Sequence, residues 1–151
     1  MGKDKFPEIT EILKFLPHRY PFLLVDKITG VELQKRIFGI KNITYNEWYF
    51  QGLPSALMIV PASILSEAIA QLGAMLILLE EENHGKLIFF SGLDRVRFRK
   101  PVRPGDTLRM SAEIVRRKGR LGRLKVEATV EERVVFEGIM QFALEGNKPE
   151  S

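Results

Sequence analysis

The chain has 151 residues, 45% hydrophobic and 28% charged, which is ordinary for a folded domain and excludes disordered and collagen-like classes. It contains no cysteine, so disulfides, thiolate zinc sites and cysteine nucleophiles are excluded. The net charge of +4 conceals an asymmetry: residues 95–125 carry twelve Lys or Arg against Asp106 and Glu113 alone, leaving the remainder acidic. Such a basic segment points to an anionic partner.

Along the chain, Met1 to Pro17 is charged and amphipathic without a long apolar run, so a cytoplasmic protein is expected. Glu8 to Leu16 has Ile9, Ile12, Leu13 and Leu16 at helical spacing, and Pro17 stops it. Ile28–Leu33 and Ile37–Asn42 read as two strands joined by a polar turn at Gln34, Lys35 and Arg36, followed by a loop over 43–56. Pro61 to Leu79 is predicted to be a helix, apolar on nearly every face. Such a helix is wrapped in protein or in lipid. Ser63, Ser66, Glu67 and Gln71 interrupt the run, and the cost of a charge in mid-bilayer excludes the membrane span.

Beyond Gly85 the period becomes two. Arg95, Arg97 and Arg99 share one face and Val96 and Phe98 the other. Leu108, Met110, Ala112 and Ile114 form one apolar face, then Leu124, Val126, Ala128 and Val130, then Val134, Phe136, Met140 and Phe142. The turns between them are expected over 117–123 and 131–133. This is an antiparallel meander. The fold class is α+β: a curled antiparallel sheet around one long apolar helix, as a single domain over 1–151 with its ordered core at about 8–145.

Within that helix Glu67 has apolar neighbours throughout. Burying an ionised carboxylate is costly unless it is paired or protonated, so Glu67 reads as a candidate site acid, with Gln71 one turn on to orient it. No metal or cofactor is expected, because two histidines in dissimilar contexts make no ligand set. A nucleic-acid partner is not expected either, since Phe98 is the only aromatic residue among the basic ones.

Three blocks then carry a resemblance. Leu16-Pro-His-Arg-Tyr-Pro-Phe-Leu-Leu-Val-Asp26, Phe50-Gln51-Gly52 leading to Pro61 and Glu67-Ala-Ile-Ala-Gln71, and Leu93-Asp-Arg-Val-Arg-Phe-Arg-Lys-Pro-Val-Arg-Pro-Gly-Asp106 resemble the FabZ-type β-hydroxyacyl-[acyl carrier protein] dehydratases, which have the hot-dog fold. The resemblance runs from about Ile9 to Leu144. It implies removal of water from a β-hydroxyacyl thioester held on a phosphopantetheine arm. A histidine in a Gly-His-Phe-Pro-Gly motif takes the α-proton, a helix glutamate of the neighbouring subunit assists loss of the hydroxyl, and a helix N-terminal N–H holds the thioester carbonyl.

Carried over, Glu67 is the catalytic glutamate and Ala62 supplies the backbone donor. Gln71 and the packing around Phe89 and Phe90 complete the substrate site. Arg95, Arg97, Arg99, Lys100 and Arg103 are candidates for docking an acidic acyl carrier protein. The departure is at the histidine: the motif falls on Gly52-Leu-Pro-Ser-Ala56, so Leu53 stands in its place. His18 reads as structural and His84 as solvated. A leucine accepts no proton, so dehydratase activity of a homodimer is expected to be impaired or lost. The assembly implied is a homodimer or a trimer of dimers, or a heterodimer with a histidine-bearing paralogue. Two alternatives stay open: a hot-dog thioesterase using Glu67, and a non-catalytic acyl- or carrier-binding module.

Overall fold

The computed structural model describes residues 5–146. The ends of the expected 1–151 domain, residues 1–4 and 147–151, lie outside the described residues. The elements are α1 (Ile9–Phe15), β1 (Lys27–Glu32), β2 (Arg36–Asn42), α2 (Ala62–Leu78), β3 (Leu87–Phe98), β4 (Thr107–Lys118), β5 (Leu121–Val130) and β6 (Arg133–Glu145). The six strands form one antiparallel sheet in the order β1-β2-β4-β5-β6-β3. Around α2 this is the hot-dog arrangement expected, and α+β is the class found.

The helix is buried because the sheet curls about it. Leu65 and every residue from Ala68 to Leu78 are buried. Opposite them lie Leu108, Met110 and Ala112 of β4, Leu124, Val126 and Ala128 of β5, and Phe136, Met140 and Phe142 of β6. The period-two reading thus placed the correct face inward, except at the start of β6, where Val135 is buried and Val134, expected inward, is only half-buried. Close approach is enforced at Gly73, where a Cβ would stand 2.7 Å from Leu124 Cδ1. A larger residue there would have to displace the Leu124 side chain or lift α2 off β5. Among the described residues, no helix is long and apolar enough to cross a membrane.

Several boundaries differ from the expectation, each for a backbone reason. The 117–123 turn is only two residues long: Gly119 at φ +60° turns the chain at once, so β4 continues to Lys118 and Arg117 pairs with Gly122. Glu131 and Glu132 both adopt left-handed φ, the signature of a tight hairpin. The 43–56 loop contains two single 3₁₀ turns, Trp48–Phe50 and Ser55–Leu57. Alternation in β3 also breaks. Arg95 has φ +52°, and Arg95 and Val96 together stand opposite Gly138 in a bulge. Phe98 is consequently 47% exposed rather than core, although it meets Phe136 edge-on at 5.0 Å.

Candidate functional site

The site is assembled where the opening segment crosses the N-terminal half of α2. A capping box between Glu8 and Glu11 starts α1, which ends at Phe15. Arg19 then reaches back, its guanidinium donating to the carbonyls of Leu13, Leu16 and His18 at 2.8 Å each. Cationic groups are favoured there by the carbonyl end of the helix. On the other side Gln71 holds the same segment: its Nε2 donates to Phe22 O at 2.7 Å, and its Oε1 accepts the Leu24 N–H at 2.8 Å. Residues 17–24 are therefore fixed to both helices.

This places His18 over α2, with its Nε2 3.2 Å from Glu67 Oε1. Gln71 Nε2 also donates to Glu67 Oε1, at 3.0 Å. Gln71 is thus hydrogen-bonded to the carboxylate that it was expected to orient. One expectation needs correction. Glu67 is not buried by its apolar helix neighbours. Its side chain is 46% exposed, because the helix face at 63–67 is left open by the sheet. His18, read from the sequence as a structural residue of the opening segment, faces the same space as Glu67. His84 is exposed, as expected, and rests edge-on against Phe15 at 5.2 Å.

Behind these polar groups lies a cavity of about 330 Å³. Its floor is the Ala70, Ala74 and Leu78 stripe of α2, spaced one turn apart, and its wall is Ile88, Phe89 and Phe90 of β3. The small alanines leave the room and the phenylalanines bound it. From Glu67 to Leu78 the helix rises about 16 Å at 1.5 Å per residue. The space thus has a polar end carrying a carboxylate, an amide and an imidazole, and an apolar end. Such a shape admits an amphiphilic chain whose reactive carbons stop at the polar end.

Not every expected residue lies there. Phe89, Phe90, Glu67 and Gln71 line the cavity, whereas Leu53 and Ala62 do not. Leu53 is 40% exposed in the turn beyond Trp48–Phe50, its N–H donating to Phe50 O at 3.0 Å and Gly52 adopting φ +78°. Ala62 is exposed at the first turn of α2, where an N–H has no acceptor within the helix. Pro61 precedes the helix as its cap rather than opening it.

The basic candidates Arg95, Arg97, Arg99, Lys100 and Arg103 are all exposed. They are not equally available. Arg99 donates to Glu137 at 2.6 Å, a hydrogen bond that holds the Glu137 carboxyl below its usual range and the Arg99 guanidinium above its own. Arg95 is 85% exposed at the β3 bulge and only reaches Asp94 at 4.0 Å.

The FabA-like domain family matches residues 16–139. The 3-hydroxyacyl-[acyl-carrier-protein] dehydratase FabZ of Caldicellulosiruptor saccharolyticus is 50% identical over 137 residues, 91% of this chain and 98% of that protein. The same enzyme of Bacillus subtilis is 49% identical over 134 residues, 89% and 95% of the two chains. Among solved structures, the dehydratase heterocomplex ApeI:P of Xenorhabdus doucetiae contains a chain with TM-score 0.72 at 16% identity, covering 89% of this chain and 91% of that one. The PaaI protein of Escherichia coli gives 0.60 at 13%, over 78% and 81%. At these identities the solved structures speak for the fold. The identity to curated relatives over nine-tenths of its length decides the family: the chain belongs to the FabZ 3-hydroxyacyl-[acyl-carrier-protein] dehydratases, built on the FabA-like hot-dog domain.

Proposed function

We propose that this chain binds β-hydroxyacyl thioesters presented by an acyl carrier protein in the cytoplasm, and that as a homodimer it dehydrates them slowly. The observation that carries this reading is the cavity itself: an apolar floor ending at Glu67, with Leu53 at the position that matches the family's general base. The acyl chain lies along Ala70, Ala74, Phe89 and Phe90, and the thioester carbonyl sits near the free N–H at Ala62. Glu67 assists departure of the β-hydroxyl. Arg95, Arg97, Lys100 and Arg103 dock the acidic carrier, with Arg99 partly neutralised by Glu137.

The long edge strand β3 pairs with β6 on one side only, and pairing its other edge with a second copy covers it. We therefore place the protein in a homodimer or a trimer of dimers. Full activity comes from a heterodimer in which a histidine-bearing paralogue completes the site that Leu53 leaves short. That a dehydratase of this fold occurs as a heterocomplex in Xenorhabdus doucetiae supports such pairing.

The test is turnover of a 3-hydroxyacyl carrier thioester by protein purified from a host whose own dehydratase is removed. Without a positioned general base the rate falls at least ~10²-fold below that of a histidine-bearing relative. An ordinary rate overturns the reading, and release of free thiol in place of an enoyl thioester makes the protein a thioesterase. A monomeric mass by light scattering at micromolar concentration removes the assembly.

A further inference from the structure

The cavity contains a second ionisable group that the family's chemistry does not use, and it stands beside the one that it does. We propose that His18 and Glu67 form a single acid–base pair that carries the residual dehydration by the homodimer, His18 supplying the proton-transfer capacity absent at Leu53. The inference rests on the slow-dehydratase reading above and names the groups behind its remaining rate.

Four observations converge on the pair. His18 Nε2 and Glu67 Oε1 are 3.2 Å apart, and both residues line the cavity. Oε1 is fixed from the other side by Gln71 Nε2 at 3.0 Å, and Oε2 takes no hydrogen bond among the described residues. One carboxylate oxygen is thus held and the other is left to act. His18 Nδ1 is shut away from solvent without a partner, which leaves Nε2, on the Glu67 side, as the nitrogen able to exchange a proton. Finally, the imidazole is held by its backbone: Arg19 donates to His18 O and to the end of α1. The other charged groups facing this space are Lys14 of α1 and Lys86 before β3, and both are cations.

The elimination balances on one proton shared by the pair. In the reacting form Glu67 Oε2 carries it and His18 is neutral. His18 Nε2 takes the α-proton, the Cα–H electrons form the Cα=Cβ bond, and the Cβ–O bond breaks with its electrons going to oxygen. The departing hydroxyl receives the Oε2 proton and leaves as water. The pair then consists of a carboxylate and an imidazolium, still with one proton, and transfer across the 3.2 Å gap restores the starting state. Both reacting carbons are adjacent, so a carboxylate and an imidazole this close can serve the same face of the substrate.

The experiment uses the full chain with a 3-hydroxybutyryl thioester on acyl carrier protein. Enoyl absorbance reports elimination, and deuterium uptake at Cα from D2O reports proton abstraction separately. His18→Gln, His18→Asn and Glu67→Gln are compared with the unmodified chain, each checked for dimer mass and thermal unfolding. The expected result is a loss of at least ~10-fold in kcat for each, with KM little changed and the His18 variants losing one limb of the pH–rate profile. His18→Gln combined with Glu67→Gln is no slower than the slower single variant, since the two act as a unit. If folded His18→Gln and His18→Asn retain the unmodified kcat and pH profile, the inference is overturned while the slow-dehydratase reading stands. If the unmodified chain runs at a relative's ordinary rate, that reading fails, and the His18 variants still decide whether the pair carries the chemistry. An unmodified chain without any turnover overturns both.

Discussion

Gln71 donates to Glu67 from one helical turn away, at 3.0 Å, while the same amide spans to Phe22 O and to the buried N–H of Leu24. The residue that aims the carboxylate also fixes the segment carrying His18. Truncating Gln71 to alanine leaves the Leu24 N–H buried and unpartnered. A group so stranded costs about 1–3 kcal/mol, and loss of the Phe22 contact adds to it. Urea unfolding of Gln71→Ala is therefore expected to show a loss of about 3 kcal/mol, together with loss of the residual activity. A change below about 1 kcal/mol would mean that this amide anchors nothing.

A second polar anchor closes the far end of α2. Glu80 is 4% exposed, and its Oε2 receives Arg117 Nη1 of β4 at 2.5 Å and Asn83 Nδ2 at 3.0 Å. Arg117→Ala leaves a buried carboxylate without its cation and is expected to cost about 3–5 kcal/mol. Replacing Glu80 and Arg117 together by leucine removes both charges and loses far less. Thermal unfolding of the three proteins separates the two cases.

Alkaline stability is governed in part by Tyr49. Burial pushes its phenol above the ordinary tyrosine value, and the carboxylates of Glu47 and Asp26 push in the same direction. The folded state thus retains this proton to higher pH than the unfolded chain does. Its contribution is complete below the unfolded value, about 10, and is lost as pH rises from there through the folded one. The hydroxyl is also buried without a partner. Tyr49→Phe is therefore expected to gain about 1 kcal/mol at pH 7 and to flatten the decline above pH 10. Denaturant midpoints measured from pH 7 to 11 check both, and an unchanged alkaline slope rules Tyr49 out.

Restoring a histidine at one position is expected to recover little activity. Pro54 caps the 3₁₀ turn Ser55–Leu57 and Gly52 turns the chain just before Leu53, so Leu53→His places an imidazole on a turn of different course. Misplacement by about 1 Å can cost two orders of magnitude. Replacing residues 53–56 together by His-Phe-Pro-Gly is expected to recover at least ~10-fold more than the single change. Equal recovery by the two variants would show that the turn does not aim the side chain.

Carrier binding is expected to weaken steeply with salt, since exposed charges are screened beyond about 8 Å at physiological ionic strength. Charge reversal at Arg95, Arg97, Lys100 or Arg103 should weaken it at least several-fold. Reversal at Arg99 should matter less to the carrier, because Glu137 already occupies that guanidinium. Titration of acyl carrier protein at two salt concentrations tests the ranking. Salt-insensitive binding would remove the docking face.

The elements were legible because each has one dominant period. The apolar run of α2 and the alternating faces of β4, β5 and β6 needed only counting. What periodicity missed was set by single residues in unusual backbone states: Gly119 shortening a hairpin, and Arg95 breaking the alternation of β3. At the site, Glu67 and Gln71 could be paired because one helical turn separates them. The contact between His18 and Glu67 has no such local signal. It arises from Arg19 gripping the end of α1 and Gln71 gripping residues 22–24, and neither grip has a spacing to read. The exposure of Glu67 was misjudged for a related reason. Apolar neighbours along a helix report what the helix buries, not where the sheet stops covering it.

Gly73 carries a consequence for evolution of the cavity. Its bare Cα lies against Leu124 on one side, and an added methyl would also come within 3.7 Å of Phe90, part of the cavity wall. The length of the cavity can therefore be altered from behind the wall, at a position outside its lining. An alanine there must shift Leu124 or lift the helix, carrying Ala70, Ala74 and the reactive carboxylate with it. Selection for a different cavity length at this position is thereby tied to selection on the placement of Glu67, whereas a change at Phe89, 49% exposed in the same β3 wall and away from the helix, leaves the two free to diverge.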